Sequence, residues 1–276
     1  MSLSLSRSIA ASCFAVFIAS GAAFAQDASK KEAEPFEPTV GQAGRDVVWV
    51  PTPQALVNRM LDMANVTSRD FLVDLGSGDG RTVITAAKRG ARAMGVEYNP
   101  KMVELSQRNA KKEGVSENAQ FVQADLFEHD FSKADVITLF LLPDINRRLK
   151  PKLLDMKPGT RVVSNTFDMG DWKADDTISA DNTDCRAWCR AYFWLVPAKV
   201  EGTWTLPEGT LTLEQKYQFI SGTLDTGKAK VQISDGKLKG AEITFVAGDQ
   251  RFTGTVDGDT MQGTMSPTFK ATRKAK

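Results

Sequence analysis

A short glycine-rich segment constrains the fold of this chain more than any other feature. Residues 73–80 read Val-Asp-Leu-Gly-Ser-Gly-Asp-Gly, directly after the apolar residues Phe71 and Leu72. A helical pattern of apolar residues begins at Arg81. The pattern predicts a buried strand, a tight glycine turn and a helix N-terminus, which together bring bare backbone close to a nucleotide-like ligand.

The spacing of the glycines separates two classes of ligand. Gly76, Gly78 and Gly80 read G-x-G-x-G behind the acidic residue Asp74. A dinucleotide fingerprint is G-x-G-x-x-G, and its pyrophosphate sits on the helix end. The spacing found here resembles motif I of the class I S-adenosylmethionine (SAM) methyltransferases, whose ligand has no pyrophosphate. Taken alone, the glycines could also form a tight turn without a ligand.

Strands and helices alternate after the glycine turn. The predicted helices cover 54–64, 81–89 and 100–114, and the predicted strands cover 71–75, 93–96, 120–124 and 135–141. This alternation indicates an α/β fold with a Rossmann-like, doubly wound sheet, and a ligand along the carboxyl edge of its strands.

Acidic residues follow two of these strands. Glu97 ends the second strand, where its carboxylate could accept both ribose hydroxyls in charge-assisted hydrogen bonds of about 1.5–3 kcal/mol each. Asp125 and Leu126 follow the third strand, where this fold places its adenine contacts. Read without the glycine motif, Glu97 could be a solvated strand end and Asp125 a turn or cap residue.

Several longer motifs point to one family. They are Val-Trp-Val-Pro-Thr-Pro at 48–53, Asp-Leu-Gly-Ser-Gly-Asp-Gly-Arg at 74–81, Gly-Val-Glu-Tyr-Asn-Pro at 95–100, Ala-Asp-Leu-Phe at 124–127, Thr-Leu-Phe-Leu-Leu-Pro at 138–143 and Pro-Gly-Thr-Arg-Val-Val-Ser at 158–164. Over about residues 45–197 the chain resembles the seven-strand protein-lysine methyltransferases related to those that modify the c-ring protein of ATP synthase and the adenine nucleotide carrier.

The resemblance implies a cofactor, a reaction and a set of site residues. The cofactor is SAM, and the reaction is methyl transfer to a protein lysine amine. The implied contacts to SAM come from Asp74, Gly76, Gly78, Glu97 and Asp125, with Thr52 near the site of methyl transfer.

One departure concerns the acceptor. Many amine-directed methyltransferases carry an Asn/Asp-Pro-Pro-aromatic loop after the fourth strand, whereas this chain has Phe-Leu-Leu-Pro-Asp at 140–144. Methyl transfer from a sulfonium requires in-line positioning, exclusion of water and an unprotonated lysine. It does not require a dedicated base, so no catalytic residue is assigned. The sequence predicts no metal site, because the C-x-x-x-C pair at 185–189 is a poor metal signature.

The N-terminus predicts export. Residues 1–25 contain Arg7, an apolar stretch over 9–24 and the A-x-A cleavage pattern at 23–25, which is typical of a secretory signal peptide. Residues 26–44 are polar and indicate a flexible leader. In a bacterium the mature chain would be periplasmic, with no membrane-spanning segment left after cleavage. Cys185 and Cys189 could then form a disulfide if a turn brings them together, whereas a regular strand would hold them about 13 Å apart.

Two domains are predicted, a SAM-binding domain over 45–198 and a small antiparallel β domain over 199–276. In the first, we predict a seven-strand sheet with strands at 160–166, 176–180 and 186–196, the last of them antiparallel. A loop over 167–173 replaces the usual helix between the fifth and sixth strands. In the second, glycines recur among alternating residues and indicate a meander of six to seven strands, curled or half-closed, that serves as an appendage or a second ligand site.

Two functions of different class are compatible with these patterns. The first is a SAM-dependent N-methyltransferase acting on a protein substrate. The second is an exported binding protein that keeps the methyltransferase fold without catalysis. A formal charge of +1 makes a nucleic-acid partner unexpected. The oligomeric state is not predicted.

Overall fold

The computed structural model describes residues 35–180, 185, 187–207, 209–263 and 268–274. The predicted signal peptide and most of the predicted leader lie outside these residues. Within the described part of the chain, no helix is both long enough and apolar enough to cross a membrane.

The N-terminal domain alternates helices and strands around one sheet. Its elements are α1 (Gln54–Met63), β1 (Phe71–Leu75), α2 (Arg81–Lys88), β2 (Arg92–Glu97), α3 (Pro100–Lys112), β3 (Ala119–Gln123), β4 (Val136–Leu139), α4 (Pro143–Leu154), β5 (Arg161–Asn165), β6 (Asp176–Ser179) and β7 (Arg190–Leu195). The strand order is β3-β2-β1-β4-β5-β7-β6. Strand β7 runs antiparallel to both β5 and β6, and the remaining pairs are parallel. The predicted seven-strand sheet is confirmed.

Apolar side chains cover both faces of the sheet. One core includes Leu56 and Val83 from the helices on one face, and the other includes Leu149 and Trp194 on the opposite face. All four are 1 % exposed or less. Burying such a side chain stabilises the fold by about 1.5–3 kcal/mol, so the two cores hold the strand ends in fixed positions.

The segment between β5 and β6 is a loop, as the sequence predicts. Every residue from 166 to 175 is described, and none is helical. Trp172 fills the space under this loop with no exposed surface, and its carbonyl oxygen accepts a 2.9 Å hydrogen bond from Trp194 Nε1. The indole therefore supplies apolar contact that a helix would otherwise provide.

The cysteine pair is a disulfide. The Cα atoms of Cys185 and Cys189 lie 5.7 Å apart. The predicted start of the seventh strand at residue 186 is wrong, because β7 begins at Arg190 and Cys189 precedes it. The pair therefore closes a turn and does not lie along an extended strand.

The C-terminal domain is a closed antiparallel barrel. Its strands are β8 (Gly202–Leu206), β9 (Gly209–Lys216), β10 (Phe219–Asp225), β11 (Lys230–Lys239), β12 (Glu242–Ala247), β13 (Gln250–Asp257), β14 (Thr260–Gly263) and β15 (Lys270–Arg273). The predicted meander has eight strands instead of six to seven. It closes because β15 pairs with β8, which leaves no open sheet edge.

Aromatic and aliphatic side chains fill the barrel. Trp204 and Phe245 have no exposed surface, and the Phe245 and Phe252 rings stack with centroids 4.8 Å apart. This packing accords with a stabilising appendage and occupies the space in which a second ligand would have to bind.

The barrel packs on the loop between β5 and β6. Tyr217 stacks on Trp172 with ring centroids 6.1 Å apart, and its hydroxyl donates a 2.9 Å hydrogen bond to Asp171 Oδ1. Gln218 Nε2 donates to the carbonyl oxygen of Lys173 at 2.7 Å. The barrel thus covers the part of the sheet that lacks a helix.

The described part of the predicted leader is hydrogen-bonded to the N-terminal domain. The Gly41 amide donates to the Trp49 carbonyl at 2.9 Å, and the Trp49 amide donates to the Gln42 carbonyl at 2.8 Å. Arg108 Nη2 donates to the Phe36 carbonyl at 2.7 Å. The domain boundaries at residues 45 and 199 stay predictions, but the segment just before residue 45 packs with the domain that follows it.

Candidate active site

The carboxyl ends of β1, β2 and β4 open into one cleft. The segment over residues 42–52 forms its opposite wall. The structure brings all of the predicted site residues to this cleft, namely Thr52, Asp74, Gly76, Gly78, Glu97, Asp125 and Leu126. Their individual contacts to SAM stay predictions.

The glycine turn has backbone angles and contacts that exclude side chains. Gly76 and Gly78 have φ values of 79° and 54°. A Cβ on Gly78 would lie 2.9 Å from Trp49 Nε1, and one on Gly76 would lie 2.9 Å from a methyl group of Leu141. The turn therefore presents bare backbone to the cleft, as the spacing predicts.

The Glu97 carboxylate is held by two backbone amides. Its Oε2 accepts a hydrogen bond from the Gly78 amide at 3.0 Å, and its Oε1 accepts one from the Asn99 amide at 2.9 Å. Each carboxylate oxygen keeps a further lone pair, so the side chain can still accept two hydroxyl groups. Glu97 therefore ties the glycine turn to the end of β2 and presents a fixed diol acceptor.

Asp74 is buried at the floor of the cleft. Its Oδ1 accepts a 2.6 Å hydrogen bond from Thr138 Oγ1. Burial raises the pKa of Asp74 to about 7, the Thr138 hydrogen bond opposes this change, and the negative charges of Asp79 and Glu97 add to it. A cationic group bound beside Asp74 would favour its ionised form.

Asp125 pairs with a residue from the opposite wall. Its Oδ1 accepts a 2.9 Å hydrogen bond from the Phe127 amide, and its Oδ2 accepts a 2.7 Å hydrogen bond from Arg45 Nη1. These two contacts, the amide first, hold the pKa of Asp125 below its usual value. The Arg45 guanidinium also lies 4.2 Å from the centroid of the Tyr98 ring. The pairing spans the cleft at the predicted adenine end.

Thr52 is fixed at the other end of the cleft. Its hydroxyl accepts a 3.2 Å hydrogen bond from Asn165 Nδ2, and its carbonyl accepts a 2.9 Å hydrogen bond from Arg81 Nη1. Arg81 in turn pairs with Asp79 through Nη2 at 2.6 Å. Thr52 is thus a buried, positioned residue rather than a mobile loop residue.

Sequence reasoning did not assign Arg45, Trp49, Tyr98 or Arg81 to the cleft. Arg45 and Asp125 are 80 positions apart, and no local pattern joins them. The one signal was the resemblance over residues 48–53, which placed this segment near the glycine turn without giving its side chains roles.

The cleft matches the chemistry of SAM. A glycine turn, a diol acceptor at Glu97 and a buried carboxyl at Asp74 suit a nucleoside whose other end carries a cationic sulfonium and amino group. Among the residues that the structure describes, no cluster of three or more His, Cys, Asp or Glu side chains is placed to hold a metal ion.

Comparisons with known proteins agree with this geometry. Residues 74–176 match the family described as the ANTKMT methyltransferase domain. A protein-lysine N-methyltransferase of Saccharolobus islandicus is 45% identical over 139 residues, which cover 49% of this chain and 86% of that protein. A Rattus norvegicus lysine N-methyltransferase, named for its action on the C-type subunit of ATP synthase, is 37% identical over 130 residues, which cover 47% of this chain and 60% of that enzyme.

A solved structure is similar over the same region. It is described as an RNA methyltransferase from Salinibacter ruber in complex with S-adenosyl-L-homocysteine (SAH). It shares 46% identity with a TM-score of 0.51, covering 55% of this chain and 96% of that one. The match to a chain with bound SAH supports SAM as the cofactor. The chain belongs to the family of SAM-dependent protein-lysine N-methyltransferases.

Proposed function

We propose that this lysine methyltransferase works outside the cytoplasm, on lysine side chains of a protein partner. The observation that carries the catalytic part is the grouping of Glu97, Asp74 and Asp125 around one glycine turn. This grouping gives SAM a polar partner at its ribose, its cationic end and its adenine.

SAM supplies an activated methyl group on a sulfonium when it is bound. Glu97 would accept the ribose hydroxyls, and Asp125 would accept from the adenine amino group. Asp74 would face the cationic methionine portion. These residues bind and orient, while the wall over residues 42–52 excludes water from the cleft.

The acceptor lysine must arrive without its proton, because its lone pair forms the new nitrogen–carbon bond. No side chain is assigned as a base. The proton leaves to solvent before or after the amine reaches the cleft. Thr52, which is buried and fixed by Asn165 and Arg81, would shape the end of the cleft where the methyl group is transferred.

Two features support export. Residues 1–25 have the charge, the apolar stretch and the small-residue cleavage pattern of a signal peptide. Cys185 and Cys189 form a disulfide, which persists in oxidising compartments such as the periplasm. SAM is made in the cytoplasm, so the proposal requires a route by which SAM reaches the exported enzyme.

Location is tested with a fusion. Residues 1–44 are joined to alkaline phosphatase, which becomes active only after export. The proposal predicts phosphatase activity in intact cells and loss of residues 1–25 by N-terminal sequencing. An inactive, uncleaved fusion would contradict export and leave the catalytic part standing.

Activity is tested with the mature chain from Gln26 and SAM that carries a deuterated methyl group. Lysine-rich peptides, a bacterial envelope protein fraction and bulk RNA serve as acceptors, and mass spectrometry locates the label. The proposal predicts labelled lysine, and no label with Asp74→Asn. Label in RNA alone would favour the RNA methylation for which the Salinibacter protein is named, and SAM binding with no transfer to any acceptor would favour a binding protein.

The near-neutral charge supports a protein acceptor over RNA. The chain has 35 Lys and Arg residues against 34 Asp and Glu residues. Affinity for nucleic acids comes largely from basic residues that neutralise phosphates. A chain with this balance has no excess of basic charge overall.

A further inference from the structure

Three aromatic rings meet beside the active-site cleft. Phe140 follows β4, Phe167 follows β5 and Trp188 lies in the turn closed by the disulfide. The ring centroids are 6.2 Å apart for Phe140 and Phe167, 6.1 Å for Phe140 and Trp188, and 5.8 Å for Phe167 and Trp188. Three separate parts of the chain therefore converge to form one aromatic box.

The aromatic box lines a cavity of about 420 Å³. Residues 43–48 line both this cavity and the active-site cleft, and so do Phe140 and Leu141. The two spaces are thus continuous. Asp46 contributes a carboxylate to the shared wall, with half of its side chain exposed.

Trp188 is held in an unfavourable backbone conformation. Its φ is 60°, in the left-handed region that residues other than glycine rarely adopt. Its side chain remains 44% exposed, so burial in a core does not explain this placement. The disulfide between Cys185 and Cys189 closes the turn around Trp188 and constrains the backbone on both sides of it.

We propose that Phe140, Phe167 and Trp188 form the acceptor site, which takes the aliphatic stem and the amino group of the lysine and of its methylated forms. The inference rests on the proposed function. Methyl transfer moves a positive charge onto the lysine nitrogen, and aromatic faces attract alkylammonium groups. The Asp46 carboxylate complements the same charge.

The aromatic box answers the departure noted in the sequence. The chain lacks the Asn/Asp-Pro-Pro-aromatic loop with which many amine-directed enzymes hold nitrogen. Rings from three segments supply aromatic contact instead. Because one ring sits in the disulfide turn, reduction of Cys185 and Cys189 should weaken lysine binding while SAH binding stays intact.

The test measures acceptor binding apart from catalysis. The mature, oxidised chain is saturated with SAH and titrated by NMR with three probes: N-acetyl-lysine methylamide, its trimethylated form, and the norleucine analogue, which has a similar chain and no charge. The trimethylated probe should bind more tightly than the norleucine analogue. Trp188→Ala should weaken its binding by about 5- to 30-fold, as loss of a cation–π contact predicts.

Three further samples sharpen the comparison. Trp188→Phe should recover part of the affinity, because it keeps an aromatic face. Phe219→Ala, which removes an equally exposed aromatic side chain from the barrel, should have no effect. The double variant Cys185→Ser with Cys189→Ser should behave like Trp188→Ala.

The outcomes distinguish the acceptor site from the SAM site. If SAH binds and Trp188→Ala binds the trimethylated probe as the parent chain does, the aromatic box is not the acceptor site and the proposed function survives. Equal binding of the norleucine analogue and the trimethylated probe would also overturn the inference. If SAH itself does not bind, the proposed function fails, and the inference fails with it.

Discussion

Replacing Glu97 by glutamine tests the SAM site with a minimal change of shape. The Glu97 carboxylate accepts one hydrogen bond from the Gly78 amide and one from the Asn99 amide. A glutamine has a single acceptor oxygen, so its amide nitrogen must face one of these two N–H groups. The substitution also removes the charge and one of the two acceptors available to the ribose hydroxyls.

The magnitude follows from these contacts. Losing charge assistance and leaving one hydroxyl poorly paired should cost about 1.5–3 kcal/mol of SAM binding, or roughly 10- to 150-fold in affinity. The free energy of unfolding should also fall by about 1 kcal/mol, because one backbone N–H loses its partner. From sequence alone, a strand-end residue would be expected to contribute little to stability, and the two amide contacts change that expectation.

Calorimetric titration with SAH measures the affinity of the parent chain and of Glu97→Gln. A matched control is Glu113→Gln, which removes the carboxylate from an exposed pair with Lys88 and should leave SAH affinity unchanged. Repeating both titrations with an SAH analogue that lacks the ribose hydroxyls completes a double cycle. The analogue should bind the parent chain and Glu97→Gln with nearly equal affinity. An equal loss for SAH and the analogue would refute the assignment of Glu97 to the ribose.

Three other predictions follow from single contacts. SAM affinity should fall as the pH drops below about 7, by at most about tenfold per pH unit, because burial raises the pKa of Asp74 and its protonated form gives no charge to a cationic ligand; calorimetry at pH 8, 7 and 6 should show this slope, and Asp74→Asn should flatten it. Gly78→Ala should lower the urea-unfolding free energy by about 1–3 kcal/mol, since φ is 54° and the new Cβ would lie against Trp49, and an unchanged value would contradict this geometry. Tyr217→Phe should cost about 0.5–1.5 kcal/mol through loss of the hydrogen bond to Asp171, measured by the same unfolding assay, and a smaller loss would mean that this contact does not stabilise the barrel on the loop.

The N-terminal fold could be predicted because its signals are local. The glycine turn, the alternating periodicity and the proline and glycine at helix ends each act within a few residues. Strand β7 was predicted with the correct direction, but its start was placed too early. Cys185 and Cys189 closed a turn instead of continuing the strand, and spacing alone allowed both conformations.

The barrel shows where local patterns stop. Alternation and Asp-Gly turns predict antiparallel hairpins, but closure depends on β15 reaching β8 across about 70 residues of chain. The site has the same limit. Glu97 and Asp125 could be predicted from their places at strand ends. Their partner across the cleft, Arg45, comes from a distant segment that only the tertiary fold brings close.

The most direct test of the central claim is calorimetric titration of the mature chain, from Gln26, with SAM and SAH. The account predicts saturable binding of both ligands at a single site, with dissociation constants below about 100 μM, or more than about 5 kcal/mol of binding free energy. Glu97→Gln should weaken both ligands. Absence of binding of either ligand at high micromolar concentration, from a chain that is folded by circular dichroism, would contradict the account.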